Sequence, residues 1–350
     1  RPWITLYPIH PATSTRQRTA FRPSGGKDDT LDSVVLLETL ARHRDRLRPL
    51  DPADTATRAL AELTRLRRKI VDQRTFVSNQ LTAALKDSYP HALEWSGKEL
   101  WSPMACDFLE KWPTFAALKA AKPAALKRFY HAHNVRSEQV IEERLKAVAA
   151  ARPITRDEAI VASRQLAVAA FVAQLRALQS HLVEIEAEIQ RRYLDHPEHG
   201  FFRNLPGAGP VMGPRLVAAF GTDRSRFESP GAAQKIFGVA PVIQSSGKSR
   251  KVHRRWSANR FLQQTILEWC HQTIRYCPWS KAFYEQEKGR GIGHWTILRT
   301  LSFKWIRVLW KCWKSRTAYD GELYLRRLEL RGSSIAKRAR EIAYEFAAKA

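Results

Sequence analysis

The sequence predicts a mainly α-helical protein, and three observations lead to this fold class. Two long segments, residues 52–87 and 155–194, carry apolar residues at helical spacing. Prolines and glycines divide the remaining chain into stretches of helical length. A strand is expected only near the start, at Trp3–Tyr7, and its lack of a sheet partner suggests that the chain starts inside a larger domain.

Four regions follow from these patterns. Residues 1–50 combine the short strand, a basic loop and a helix at 31–43, for which Asp28, Asp29 and Thr30 are candidate N-caps. Residues 51–200 hold the two long helices, with a smaller helical insert at about 90–150. Residues 201–320 form a compact helical domain, and residues 321–350 a basic helical tail.

The second long segment has the cleaner periodicity. Its apolar residues recur at alternating steps of four and three, as in a heptad seam: Phe171, Leu175, Leu178, Leu182, Ile185 and Ile189. In the first segment the stripe is complete only if Arg67 and Arg74 belong to it. Two interpretations stay open, a helical hairpin within one chain and a coiled coil that pairs protomers.

Charge restricts the class of partner. The chain has 59 Lys and Arg against 34 Asp and Glu, a formal net charge of +25. Nucleic acid is the usual partner of such a chain, and an anionic membrane surface comes second. No apolar run approaching about 20 residues is expected, so a membrane partner is not predicted. Four cysteines without paired spacing indicate reduced thiols of a cytoplasmic protein.

The most basic stretch runs from Ser245 to Arg260 and contains no acidic residue. Its cations can clamp a phosphate backbone, although a solvated loop is the simpler interpretation for each of them: Lys248, Arg250, Lys251, Arg254, Arg255 and Arg260. Ser245 and Ser246 precede this run. Guanidinium groups can stabilise a pentavalent phosphate, so the sequence permits a serine nucleophile without requiring one.

Two further motifs carry possible chemistry. The Leu205–Gly209 turn resembles the hairpin of a helix-hairpin-helix, where Gly207 and Gly209 would let the backbone approach a phosphate. An ordinary turn between helices is the alternative. Asp29 and Asp32 lie three residues apart at a helix start, where two carboxylates can share Mg²⁺. Helix starts also favour Asp through capping and the helix dipole.

Taken in order, these motifs resemble those of one family. The matching segments are Lys27-Asp28-Asp29-Thr30-Leu31-Asp32, Leu205-Pro206-Gly207-Ala208-Gly209, Gly221 with Arg226-Phe227, Phe237-Gly238-Val239-Ala240-Pro241 and Ser246-Gly247. They resemble the DEDD-type transposases of bacterial insertion sequences, in the "one-ten" group. The resemblance covers nearly the whole chain.

This resemblance implies that residues 1–50 are the remnant of an α/β RuvC-like domain, followed by a coiled coil and a C-terminal domain bearing a serine. By it, Ser246 is the nucleophile that forms a covalent phosphoserine link to DNA, with Ser245 as the adjacent alternative. Asp29 and Asp32 are the third and fourth carboxylates of an Mg²⁺ site. A structured guide RNA and a homodimeric or tetrameric assembly in the bacterial cytoplasm are further implications.

The chain departs from the family pattern at several points. The first two carboxylates of the acidic set are expected upstream of Arg1, so the chain is expected to be an N-terminally truncated form with an incomplete metal site. The loop after Ser246 is shorter than usual. Gln263 also stands where the family has a cation, which predicts the loss of one phosphate contact. The alternative function is therefore a nucleic-acid-binding relic without catalysis.

Overall fold

A computed structural model describes residues 4–21 and 28–348. The chain is mainly helical, as predicted, and contains two compact units, one reaching to Asp54 and the other beginning at Thr55. Trp3, the predicted turn at 23–27 and Lys27 of the acidic motif lie outside the described residues.

The first unit contains two helices, α1 (Pro11–Phe21) and α2 (Asp29–His43), followed by a 3-10 turn at Arg44–Arg46. Asp28 caps α2, because its carboxylate accepts a hydrogen bond from the Thr30 amide at 3.2 Å. The helices join through polar contacts, an ion pair of Arg18 with Asp32 and a hydrogen bond from Thr39 to Gln17.

The predicted strand at the start of the chain is wrong for its described part. Ile4–Tyr7 has no ladder partner, and the Leu6 carbonyl accepts one backbone hydrogen bond, from Leu50 at 2.7 Å. The predicted basic loop after it is largely helix α1. An extended segment needs a neighbouring strand to satisfy its backbone, and none of the described residues of this unit supplies one.

The second unit begins with helix α3 (Thr55–Ser88). The insert follows as five shorter helices: α4 (Ala92–Trp95), α5 (Pro103–Lys111), α6 (Phe115–Lys119), α7 (Pro123–Ala132) and α8 (Glu138–Ala150). Helix α9 (Glu158–Leu194) then returns along α3. Of the two interpretations of the long helices, the fold of the chain therefore shows the helical hairpin.

Two cations belong to the apolar stripe of α3, as the periodicity required. Arg67 pairs with Glu186 of α9 at 2.6 Å, and Arg74 donates to the Gln179 side chain at 3.0 Å. The Arg74 guanidinium also lies 4.5 Å from the Trp101 ring, which links the insert to α3. Long side chains can bury their stems in a seam while their charged ends find partners on the neighbouring helix.

Helix α9 corrects one expectation about membranes. Among the described helices, it alone has the length and composition of a membrane-spanning segment. One face of this helix packs on α3 and on the insert, where Val168, Val172 and Leu175 are buried, while 22% of the apolar window as a whole is buried. Core helices satisfy the same criteria, so this feature is weak evidence for a membrane span.

The remaining chain builds a helical layer around one buried helix. In order, its elements are α10 (His199–Arg203), α11 (Met212–Phe220), α12 (Pro230–Ile236), β1 (Val242–Ser246), β2 (Ser249–His253), α13 (Arg260–Tyr276), α14 (Pro278–Gly289), α15 (His294–Ser315), α16 (Gly321–Leu330) and α17 (Ala336–Ala347). Every residue of α11 is buried. Phe220 at its end packs against Phe227, Phe237 and Trp313. This core holds both ends of the segment that carries β1 and β2.

Candidate nucleic-acid interface

The basic stretch that begins at Ser245 belongs to a β-hairpin. Strands β1 and β2 pair antiparallel, with Val242 opposite His253 and Ser246 opposite Ser249. Gly247 and Lys248 form the turn, and Gly247 has φ +55°, a conformation that a two-residue hairpin turn needs and glycine adopts without strain. The sequence therefore presents Ser246 at the tip of a short ribbon.

The predicted cations are displayed along this ribbon and just beyond it. Lys248, Arg250, Lys251, Arg254 and Arg260 are exposed, and Arg255 is half-buried with its Nε donating to the Ala240 carbonyl at 3.3 Å. Within the described ranges, none of the six forms an ion pair. The sequence from Ser229 to Leu267 contains no Asp or Glu, so no carboxylate of this segment can neutralise them.

Arginines elsewhere in the same chain behave differently. Arg224 pairs with both oxygens of Glu198 at 2.7 Å, and Arg340 pairs with Glu322 and Glu329. These arginines are therefore compensated by carboxylates of the helical layers and the tail. The hairpin keeps an uncompensated positive charge, which favours binding of a polyanion.

The strand register separates the two candidate serines. Side chains alternate between the two faces of a strand, so Ser246 shares a face with Gln244 and Lys251, while Ser245 lies directly opposite Arg250. Both serines are exposed. The register thus gives each serine a cationic neighbour on its own face.

The Ser246 hydroxyl is accessible but not activated within the chain. No described side chain accepts a hydrogen bond from it, so no general base is in place. A serine becomes a nucleophile only when a base takes its proton. The contacts of Ser246 among the described residues do not supply such a base.

The base of the hairpin is fixed by contacts that the sequence analysis missed. Gly238 has φ +69°, and a Cβ atom there would lie 2.4 Å from the Ala258 Cβ. Gln263 donates to the Gly238 carbonyl at 2.8 Å, and Asn259 caps α13 by accepting from the Leu262 amide. The sequence analysis predicted that Gln263, in place of a cation, loses a phosphate contact. In the structure its side chain makes a contact that holds the base of the hairpin.

The Leu205–Gly209 turn is placed differently from an open phosphate loop. Gly207 packs against α13, where an added Cβ would lie 2.9 Å from the Gln272 Cβ, while Gly209 is exposed. At the start of α11, the Gly213 amide already donates to the Gly209 carbonyl, and Pro214 has no amide hydrogen. The adjacent groove of about 650 Å³ is lined by one cation, Arg203, and one carboxylate, Glu268. These groups favour the ordinary turn.

The two candidate metal ligands lie in the first turn of α2. Asp29 is exposed, but the Asp32 carboxylate is already paired with Arg18. Among the described residues, no group of three or more His, Cys, Asp or Glu side chains could hold a metal ion. A cation bound by two carboxylates, one of them taken by a guanidinium, would be weakly held. Asp29 and Asp32 alone therefore do not fit an Mg²⁺ site.

A helical scaffold that displays an uncompensated cationic hairpin has the features of a protein that acts on nucleic acid. Residues 3–90 match the DEDD transposase model of the IS110 type, and residues 200–285, which include β1 and β2, match the transposase IS116/IS110/IS902 family. Both matches follow the order of the motifs in the sequence.

Proteins of bacterial insertion sequences are similar over most of this chain. A Streptomyces coelicolor mini-circle protein, named as a transposase for IS117, is 27% identical over 90% of this chain and 77% of its own length. The 42 kDa protein of insertion element IS900 from Mycobacterium paratuberculosis is 26% identical over 84% and 73%. The 44.8 kDa protein of IS116 from Streptomyces clavuligerus is 28% identical over 84% and 74%. Over these regions the chain is therefore similar to the insertion-sequence transposases of the IS110/IS116/IS902 family.

Proposed function

We propose that this transposase binds DNA phosphates with the β1–β2 hairpin and that Ser246 attacks a phosphodiester at its tip. The observation that supports this most strongly is the row of cations without carboxylate partners, which ends at an exposed serine. The similarity to transposases supports the substrate class, since transposases act on DNA.

The proposed step is a transesterification. The Ser246 Oγ forms a bond to phosphorus, and the bond from phosphorus to the 3′ oxygen of the neighbouring nucleotide breaks. The products are a serine–phosphate ester on the 5′ side and a free 3′ hydroxyl, which takes up a proton. The serine proton passes to a base that arrives with the assembled complex. Lys251 on the same face of the hairpin and the nearby guanidinium groups would stabilise the charge on the pentavalent phosphate.

Covalent trapping on nicked DNA tests this assignment. The nick releases the leaving strand, so an adduct between protein and DNA accumulates and can be counted on a denaturing gel. We expect Ser246→Ala to abolish the adduct while duplex affinity stays within about twofold, because a hydroxyl contributes little to phosphate binding beside several cations. Ser245→Ala is the matched control and should keep the adduct.

Each outcome decides the assignment. An adduct that survives Ser246→Ala and disappears in Ser245→Ala would move the nucleophile by one residue. An adduct that survives both changes would exclude a serine nucleophile in the hairpin.

A second candidate function is DNA binding without catalysis. It is favoured by the Arg18–Asp32 ion pair and by the lack, among described residues, of a cluster that could hold a metal ion. Wild-type protein that binds duplex DNA through the hairpin but forms no adduct with or without Mg²⁺ would support this second function.

Several implications of the family resemblance remain predictions. They are a RuvC-like first domain, a metal site completed by further carboxylates, a structured guide RNA, a homodimer or tetramer, and location in the bacterial cytoplasm. The two long helices, which pack on each other within the chain, leave apolar side chains such as Phe76 and Leu166 exposed. These exposed side chains support self-association as part of the proposal.

A further inference from the structure

A groove of about 420 Å³ lies at the base of the hairpin, where strand β2 and the following residues face helix α15. Four basic side chains line it, from β2 and its continuation and from α15: His253, Arg254, Arg255 and Arg299. No Asp or Glu is among the described residues that line it. Its apolar side includes Val239 and Phe303, so bulk water does not surround the charges evenly.

Of these four basic side chains, Arg299 is the one that neither the family motifs nor the composition indicates. It lies one turn into α15, is half-buried, and donates from Nη2 to the Thr296 hydroxyl at 2.9 Å. Burial and the nearby charge of Arg254 both lower the pKa of Arg299. Like charges converging in a partly desolvated groove repel each other, and an anion bound between them relieves that repulsion.

Trp256 stands beside this groove and is 83% exposed. The Arg254 guanidinium lies 5.1 Å from its ring centroid, so the indole is held against a cation and not against a core. An exposed indole in a basic surface is the arrangement by which proteins stack an unpaired base next to a bound phosphate. The indole and the groove therefore offer two neighbouring parts of one nucleotide site.

We propose that this groove binds a phosphodiester of a DNA strand and that Trp256 stacks on an adjacent unpaired base. This inference rests on the proposed function of the hairpin and adds that the bound DNA contains an unpaired base. Four residues of β1 separate the base of the hairpin from Ser246, a span of about 14 Å at roughly 3.4 Å per residue. The unpaired nucleotide is thus held one hairpin length from the strand that Ser246 attacks.

The test compares an intact duplex with the same duplex carrying a gap of three nucleotides, using fluorescence anisotropy at several salt concentrations. We expect wild-type protein to prefer the gapped DNA. Trp256→Ala should weaken binding of gapped DNA about tenfold, the usual effect of losing one stacked base, and binding of the intact duplex less than twofold. Trp256→Phe should recover most of the loss. Arg299→Ala should lower the salt slope on gapped DNA by about 0.7, the value for one phosphate contact on a single strand.

Two variants serve as matched controls. Tyr344→Ala removes an aromatic ring that is 70% exposed on α17, and Arg128→Ala removes an exposed cation of α7. Both should bind like wild-type protein. Equal losses on gapped and intact DNA, or no loss with Trp256→Ala, would contradict the inference. A stronger, Trp256-dependent preference for an RNA strand of the same sequence would also overturn it.

Variants of the hairpin distinguish a failure of this inference from a failure of the proposed function. The double change Arg250→Ala and Lys251→Ala should weaken binding of both DNA forms. If it weakens neither, the hairpin is not the DNA site and the proposed function fails. If it weakens both while Trp256→Ala changes nothing, the site for an unpaired base alone is wrong.

Discussion

At the scale of single residues, the arginines of this chain have two kinds of surroundings. Arg215 is 4% exposed, donates from Nε to the Thr265 hydroxyl at 3.1 Å and pairs with Glu268. Glu268 also pairs with Arg68 at 3.3 Å. Burial lowers the pKa of Arg215, while Glu268 opposes that shift. Arg68 also pairs with Asp72 at 2.9 Å, so Glu268 is the carboxylate on which the buried Arg215 depends, unlike the unpaired arginines of the hairpin.

Removing that carboxylate should destabilise the protein. We expect Glu268→Gln to lower the free energy of unfolding by about 2 kcal/mol, less than the full effect at a buried pair because Glu268 itself is partly exposed. Glu62→Gln, which breaks the exposed pair with Arg65, should change it by less than about 0.5 kcal/mol. Urea denaturation measures both. Equal effects of the two changes would show that Arg215 does not depend on Glu268.

At the scale of elements, the hairpin depends on its two glycines to different degrees. A methyl group at Gly238 would meet Ala258 at 2.4 Å, whereas one at Gly247 has open space around it. Both positions have positive φ. We expect Gly247→Ala to cost about 1 kcal/mol, from backbone strain alone.

Gly238→Ala should cost clearly more, because the ends of the hairpin segment must separate. Thermal denaturation compares the two variants, and anisotropy shows whether DNA affinity follows. A Gly238→Ala protein as stable as Gly247→Ala would mean that the base of the hairpin relaxes freely.

The same elements show what the sequence could predict. Periodicity over many turns predicted α3 and α9, because a long helix repeats its pattern, and the α3 stripe was complete only if Arg67 and Arg74 belonged to it. The sequence predicts a loop at 242–253, because all but one of these residues are exposed for lack of a second layer and little alternation appears. Gln263, Arg299 and Trp256 act through residues distant in sequence or through exposure, which no local pattern records. For Trp256, the one signal that the sequence itself offers is a tryptophan within a basic run.

At the scale of the whole molecule, charge is distributed unevenly along the chain. The segment from Ser229 to Leu267 has no carboxylate, so the net charge of +25 is not spread evenly. Stability should depend on pH through titratable groups inside the helical layers. His271 of α13 is the clearest case, with a buried Nδ1 that has no hydrogen-bond partner among described residues.

Burial first, then the charges of His294 and Arg275, lower the pKa of His271 below its usual 6.5. Because the folded pKa lies below the unfolded one, this contribution to stability is complete above about pH 6.5 and is lost as the pH falls through the folded value. We expect Tm to fall between pH 7 and pH 5, and His271→Gln to make that fall smaller. His253→Gln, on the exposed hairpin, is the control. An unchanged pH profile in His271→Gln would exclude His271 as a source of the acid sensitivity.

The pinned base of the hairpin has a consequence for how such transposases diversify. Gly238, Ala258 and Gln263 close the segment onto the helical layer, so residues 242–253 could be exchanged between relatives as a cassette without repacking the interior. A change of a dozen codons would in this way alter the proposed DNA contacts, while the scaffold that folds the protein is inherited intact.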